Sequence, residues 1–199
     1  GSRRRSARRD AGPGARDRLR LLCVGKLGSK RKNQPALVSA IEDAGLETRV
    51  HLTLVGTATG GNAAHAETVR ALSQRDWITL VPPMPFAEMA RFHAEADACI
   101  LPSFDEPLGV SPVESMAYGS VPMISSDAGS AGYLTHGKDG FVIDMHRPET
   151  LVSALCEMLD ADRRAELGQA ALQTAEHELS EHRFLDRFHA ILRGKGLPV

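Results

Sequence analysis

Four cations, Lys26, Lys30, Arg31 and Lys32, fall within GKLGSKRKN (25–33), just ahead of a stretch with helical periodicity. Cations beside a helix start suit an anion, because the free N–H groups and the macrodipole there both favour negative charge. A phosphate or pyrophosphate is the fitting guest, and a solvated basic loop is the plainer alternative. Two carboxylates, Glu106 and Glu114, lie in SFDEPLGVSPVE (103–114) with seven residues between them. Gly109 permits close backbone approach to a ligand. The N–H groups near Val110 and Ser111 would face an anion, and Glu114, about one turn into the next helix, can accept from a ribose diol. Taken singly, Glu106 reads as a surface loop acid and Glu114 as a first-turn carboxylate favoured by the helix dipole. SSDAGSAGY (125–133) is a second glycine-bearing turn into a helix, and LVPPMP (80–85) is a rigid loop with few donors. Such a loop suits the wall of a flat base, or is a plain turn.

Several other chemistries are excluded. GYLTHGKD (132–139) carries a phosphate-loop spacing as far as Lys138, but Asp139 stands where Ser or Thr would meet magnesium, and no strand-to-helix turn surrounds it. The eight histidines include no His-Glu-x-x-His and no close pairing with a Cys, so no metal is expected. Ser111, in Gly109-Val110-Ser111-Pro112-Val113, lacks the second glycine of a nucleophile elbow. No Gly-x-Gly-x-x-Gly follows the first strand, which disfavours a nicotinamide dehydrogenase.

The elements that must carry these loops alternate. Apolar runs at 19–25, 49–56, 77–81, 97–103, 121–126 and 140–145 read as strands. Helical patterns fill 33–45, 62–74, 86–96, 109–119 and a short 129–136, with three more at 147–159, 161–177 and 181–193. Such alternation specifies parallel βαβ units, and the nearly continuous apolar strands fit a sheet buried on both faces. The expected fold is α/β: one doubly wound, mostly parallel, six-stranded Rossmann-like sheet with extra C-terminal helices. In such a sheet ligands bind beyond the carboxyl ends of the strands, where these loops lie.

The chain has 199 residues, 42% hydrophobic and 25% charged, with a formal net charge of −1. That excludes a wholly basic nucleic-acid binder and a disordered acidic chain. Residues 1–20 hold eight arginines against Asp10 and Asp17. Residues 1–17 read as an Arg-rich linker or tag, with Gly1-Ser2 a cloning remnant; a patch for anionic lipid or nucleic acid is the alternative. Residues 18–199 form the expected folded domain. Cys23, Cys99 and Cys156 lie far apart, which excludes a disulfide scaffold and fits a reducing compartment. No apolar run approaches the ~18 residues that cross a bilayer.

Together these loops resemble the C-terminal half of retaining GT-B glycosyltransferases, the large group 1 class. The resemblance rests first on Ala96-Asp97, Pro102-Ser103, Glu106, Gly109, Glu114 and Met116-Ala117-Tyr118-Gly119, in strand–loop–helix context. VGKLGSKRKN, LVG (54–56), VPPMPFAEMARFHAEAD and HGKDGFVI extend it over residues 19–160. It implies a domain that holds a nucleotide-diphosphate sugar. Lys26 and Lys32 would clamp the diphosphate, and Glu114 would hold the ribose. Pro107, Leu108, Gly109 and Val110 would lie along the sugar and phosphate. Glu106, the catalytic candidate, would face the sugar hydroxyls without acting as a nucleophile. Two departures bear on the sugar contacts: no acid follows Gly129 through Tyr133, and Ser29 stands where relatives carry an acid.

The resemblance also implies a partner. A GT-B enzyme has two Rossmann-like domains, so an N-terminal acceptor domain is expected beyond this chain. The acceptor would be a glycan or lipid-linked molecule of surface polysaccharide biosynthesis. Fixed cations imply metal-independent leaving-group stabilisation with no cofactor. A cytoplasmic location, with peripheral contact at the inner membrane, and no nucleic-acid partner complete the expectation. The alternative function is a non-catalytic nucleotide-binding or interaction module that keeps the fold.

Overall fold

The computed structural model describes residues 18–57 and 63–179. The expected linker 1–17 and helix 181–193 lie outside them. The strands are β1 (Leu19–Val24), β2 (Val50–Val55), β3 (Ile78–Val81), β4 (Ala98–Leu101), β5 (Val121–Ser125) and β6 (Phe141–Ile143). The helices are α1 (Gln34–Asp43), α2 (Ala63–Ser73), α3 (Phe86–Glu95), α4 (Ser111–Met116), α5 (Glu149–Leu159) and α6 (Ala161–His177). Every strand pair is parallel, in the order β3-β2-β1-β4-β5-β6. The chain builds outward from β1 to β3, then returns to β4 and builds the other way. The order therefore reverses between β1 and β4, the point where α/β sheets open a crevice.

Both faces of the sheet are covered because successive strand residues point to opposite sides. Leu21 and Cys23 of β1 join Leu52, Leu54, Ile100 and Met123 in a core closed by Leu37 and Ile41 of α1 and Leu151, Leu155 and Met158 of α5. Leu22 joins Val55 and Cys99 on the opposite face, under Met89 and Phe92 of α3. Leu101 and Ile124 pack with Val113 of α4. No helix among the described residues is long and apolar enough to cross a membrane.

Three local expectations need correction. The helix expected over 109–119 is only α4, because Gly109 has φ +77°, outside the right-handed helical region. A Cβ on Gly109 would also stand 2.2 Å from Leu101 Cδ2. Gly109 and Val110 therefore precede the helix rather than open it. The expected helix at 129–136 is a single 3-10 stretch, Gly129–Tyr133. The cationic loop forms its own 3-10 turn, Lys30–Lys32, and Asn33 with φ +53° separates that turn from α1. Asn tolerates this left-handed conformation better than most residues.

Candidate functional site

The loops after β1, β4 and β5 are tied to one another at the point of reversal. Asn33 Nδ2 donates to the Pro102 carbonyl at 3.1 Å, and Phe104 N–H to the Arg31 carbonyl at 2.9 Å. On the other side Glu106 N–H donates to the Asp127 carbonyl at 3.1 Å, and Gly129 N–H returns to the Glu106 carbonyl at 3.0 Å. Ser130 adds its N–H to the Leu108 carbonyl and its Oγ–H to the Gly109 carbonyl, both at 2.9 Å. The loop carrying Glu106 to Gly109 is thus clamped between its two neighbours. Gly129 is needed for that approach, since a Cβ there would stand 2.2 Å from the Pro107 carbonyl oxygen.

Clamping the backbone holds Glu106, a residue only 9% exposed. Its Oε2 lies 2.5 Å from Lys32 Nζ and 3.1 Å from Arg31 Nη1. Burial alone would raise this carboxyl; the hydrogen bond and charge of Lys32, joined by Arg31, overcome it and hold it below the usual carboxylate range. The Lys32 stem is placed by Gly25, where a Cβ would come within 3.2 Å of its methylenes. Asp105, beside Glu106, has φ +47°, a strained conformation of the kind that gathers at functional loops.

The structure thus brings Lys32 and Glu106 together across 74 residues of sequence. Arg31 joins them, although the sequence alone did not single it out from the other cations of its loop. Lys26 is exposed, and its carbonyl accepts from Gln34 Nε2 at 3.2 Å. Pro107, Leu108 and Val110 are exposed along the clamped loop. Glu114 belongs to a separate pair. Its carboxylate lies 4.0 Å from Nε2 of buried His93, on α3. Burial raises the Glu114 carboxyl and lowers His93.

The expected helix-end anion site is weaker than the sequence suggests. α1 has Pro35 in its first turn, which removes an N–H, and α4 spans only six residues. Side-chain cations, rather than helix dipoles, supply most of the positive charge. Asp139, at the end of the phosphate-loop lookalike, accepts from Thr135 N–H and Thr174 Oγ–H, both at 2.8 Å, and ties the β6 approach to α6. A cavity of about 490 Å³ opens elsewhere, at the β6 edge, between Phe141–Asp144 and the α5 residues Thr150, Ser153 and Glu157. None of the converging charges at the reversal point lines it.

The sequence model for glycosyl transferases group 1 matches residues 18–161. The D-inositol 3-phosphate glycosyltransferase of Thermobispora bispora is 31% identical over 179 residues, covering 85% of this chain and 42% of that protein. The chain spans about two fifths of the length of the curated relatives it matches. Sucrose-phosphate synthase from Thermosynechococcus elongatus superimposes with a TM-score of 0.74 at 23% identity, over 89% of this chain and 45% of its own. Anabaena HepE in complex with UDP gives 0.74 at 19% identity, over 89% and 49%.

Proposed function

Because the chain belongs to the glycosyl transferases group 1 family, we propose that it binds a nucleotide-diphosphate sugar across the β1–β4 reversal and forms the donor half of a retaining glycosyltransferase. The observation that carries this reading is the buried Glu106 held by Lys32 and Arg31 where the strand order reverses. Lys32 and Lys26 engage the diphosphate. An ammonium has three donors, so Lys32 serves a phosphate oxygen without releasing Glu106. Glu114 holds the ribose, and the backbone from Pro107 to Val110 runs beside the sugar and phosphate. The solved relative with UDP bound supports the ligand class.

In the reaction the anomeric C–O bond breaks and the departing diphosphate takes the electron pair. The acceptor hydroxyl bonds to the anomeric carbon on the same face, and its proton passes to the departing phosphate. Negative charge builds on the leaving group, where fixed cations stabilise it without a metal. Glu106, ionised and committed to two cations, suits the orienting of sugar hydroxyls rather than attack on carbon. An acceptor domain outside this chain completes the site and positions a glycan or lipid-linked acceptor for surface polysaccharide synthesis. The proposed compartment is the cytoplasm, supported by Cys23, Cys99 and Cys156 all being free thiols.

The test is a thermal-shift screen against millimolar UDP, GDP, ADP and CDP, with and without magnesium. A ligand that binds only the folded state raises the melting temperature by mass action. A magnesium-independent rise with one nucleotide, lost in Lys32→Ala, is expected. Equal behaviour of wild type and Lys32→Ala with every nucleotide refutes the assignment.

A further inference from the structure

His93 lies outside the Glu106 cluster and is 3% exposed. Its ring stacks on Tyr118, with centroids 5.7 Å apart and planes 16° off parallel. Among the described residues its buried Nδ1 meets no hydrogen-bond partner, while Nε2 faces Glu114 Oε2 at 4.0 Å. An unpartnered acceptor nitrogen is easier to bury than an orphaned N–H, so the proton belongs on Nε2, toward the carboxylate. Glu114 has a side-chain exposure of 38%, so one side of it meets His93 while the other reaches solvent.

Among the described residues, the remaining surroundings offer His93 no other charge. α3 packs against β1 and α4. Toward β1 its face meets Leu22 and Val24, with Val55 beside them and Cys99 of β4, whose thiol is pushed up to about 12 by burial and stays neutral. From the α4 side the titratable groups are Glu114 and Tyr118. The α3 charges Glu88, Arg91 and Glu95 are exposed.

We propose that His93 is a positioning residue for Glu114: its Nε2–H, held in place by the Tyr118 stack, orients the carboxylate so that its open side meets the ribose hydroxyls of a bound nucleoside diphosphate. This rests on the nucleotide-binding reading above. A separation of 4.0 Å is longer than a hydrogen bond, as is common for unliganded sites, and it shortens when the ligand fixes the other oxygen.

The experiment compares wild type, His93→Phe and His93→Gln by titration calorimetry. The probes are whichever of UDP, GDP, ADP and CDP binds, and its 2′,3′-dideoxy counterpart. His93→Phe keeps a ring on Tyr118 and removes the donor. It is expected to weaken the ribonucleotide about tenfold, the scale of one hydrogen bond to a charged group. The dideoxy analogue should not weaken, Glu114→Ala should abolish the effect, and His93→Gln should restore most of the affinity. Equal losses for both probes, or losses that add fully to those of Glu114→Ala, overturn the proposal. A ligand-free check follows the Glu114 carboxyl by carbon NMR: its midpoint should rise in His93→Phe, and an unchanged midpoint overturns the positioning role on its own. If wild type binds no nucleoside diphosphate, the nucleotide reading itself fails and this inference falls with it.

Discussion

At the scale of single residues, the pairing of Glu106 with Lys32 has a consequence for acid stability. The folded carboxyl titrates below its usual range, so the unfolded chain binds the proton more readily. The stability this gives is fully present above the unfolded value of about 4.3 and is lost as pH falls through the lower folded value. Lys32→Ala leaves Glu106 buried with only the more exposed Arg31 at hand. It should cost about 1–3 kcal/mol near neutral pH, the scale for stranding a buried polar partner, with the loss shrinking as Glu106 protonates. Denaturant melts between pH 3 and 7 measure both. A constant cost across that range would mean the pair contributes through packing alone.

At the scale of elements, the site is made by loops that three neighbouring strand ends bring together. The loop after β1 is also supported by the loop after β2 through Gly56, where a Cβ would stand 1.8 Å from the Gly25 carbonyl oxygen. Gly56→Ala must push the β1 and β2 loops apart, and overpacking of this kind costs roughly 1–3 kcal/mol. Chemical denaturation should show that loss together with weakened nucleotide binding, because Gly25 also places the Lys32 stem. Full stability in Gly56→Ala would show that the loops can move. The strands were legible in the sequence to within a residue or two, because each is a short apolar run between turn residues. The cationic loop and the Glu106–Glu114 stretch were legible as candidate sites, from residue type and spacing. The pairing of Lys32 with Glu106 was not, since it depends on strand order across 74 residues. The helix of α4 was legible but its ends were not, because the pattern around Gly109 fits a helix and only its positive φ excludes one. His93 gave no signal: one histidine on an apolar helix face reads as ordinary core.

At the scale of the whole molecule, one six-stranded unit carries the converging charges, and the chain spans about two fifths of the curated relatives it matches. Transfer to an acceptor therefore stays a proposal, while nucleotide binding is asked of this unit. Two places compete as its binding surface: the β1–β4 reversal and the 490 Å³ cavity at the β6 edge. Amide chemical-shift mapping during nucleotide titration distinguishes them most directly. The account predicts shifts at Gly25–Asn33, Glu106 and Leu108–Val110, with Val142 and Thr150 unmoved. Shifts confined to Val142, Asp144 and Thr150, with the loops after β1 and β4 silent, would contradict it.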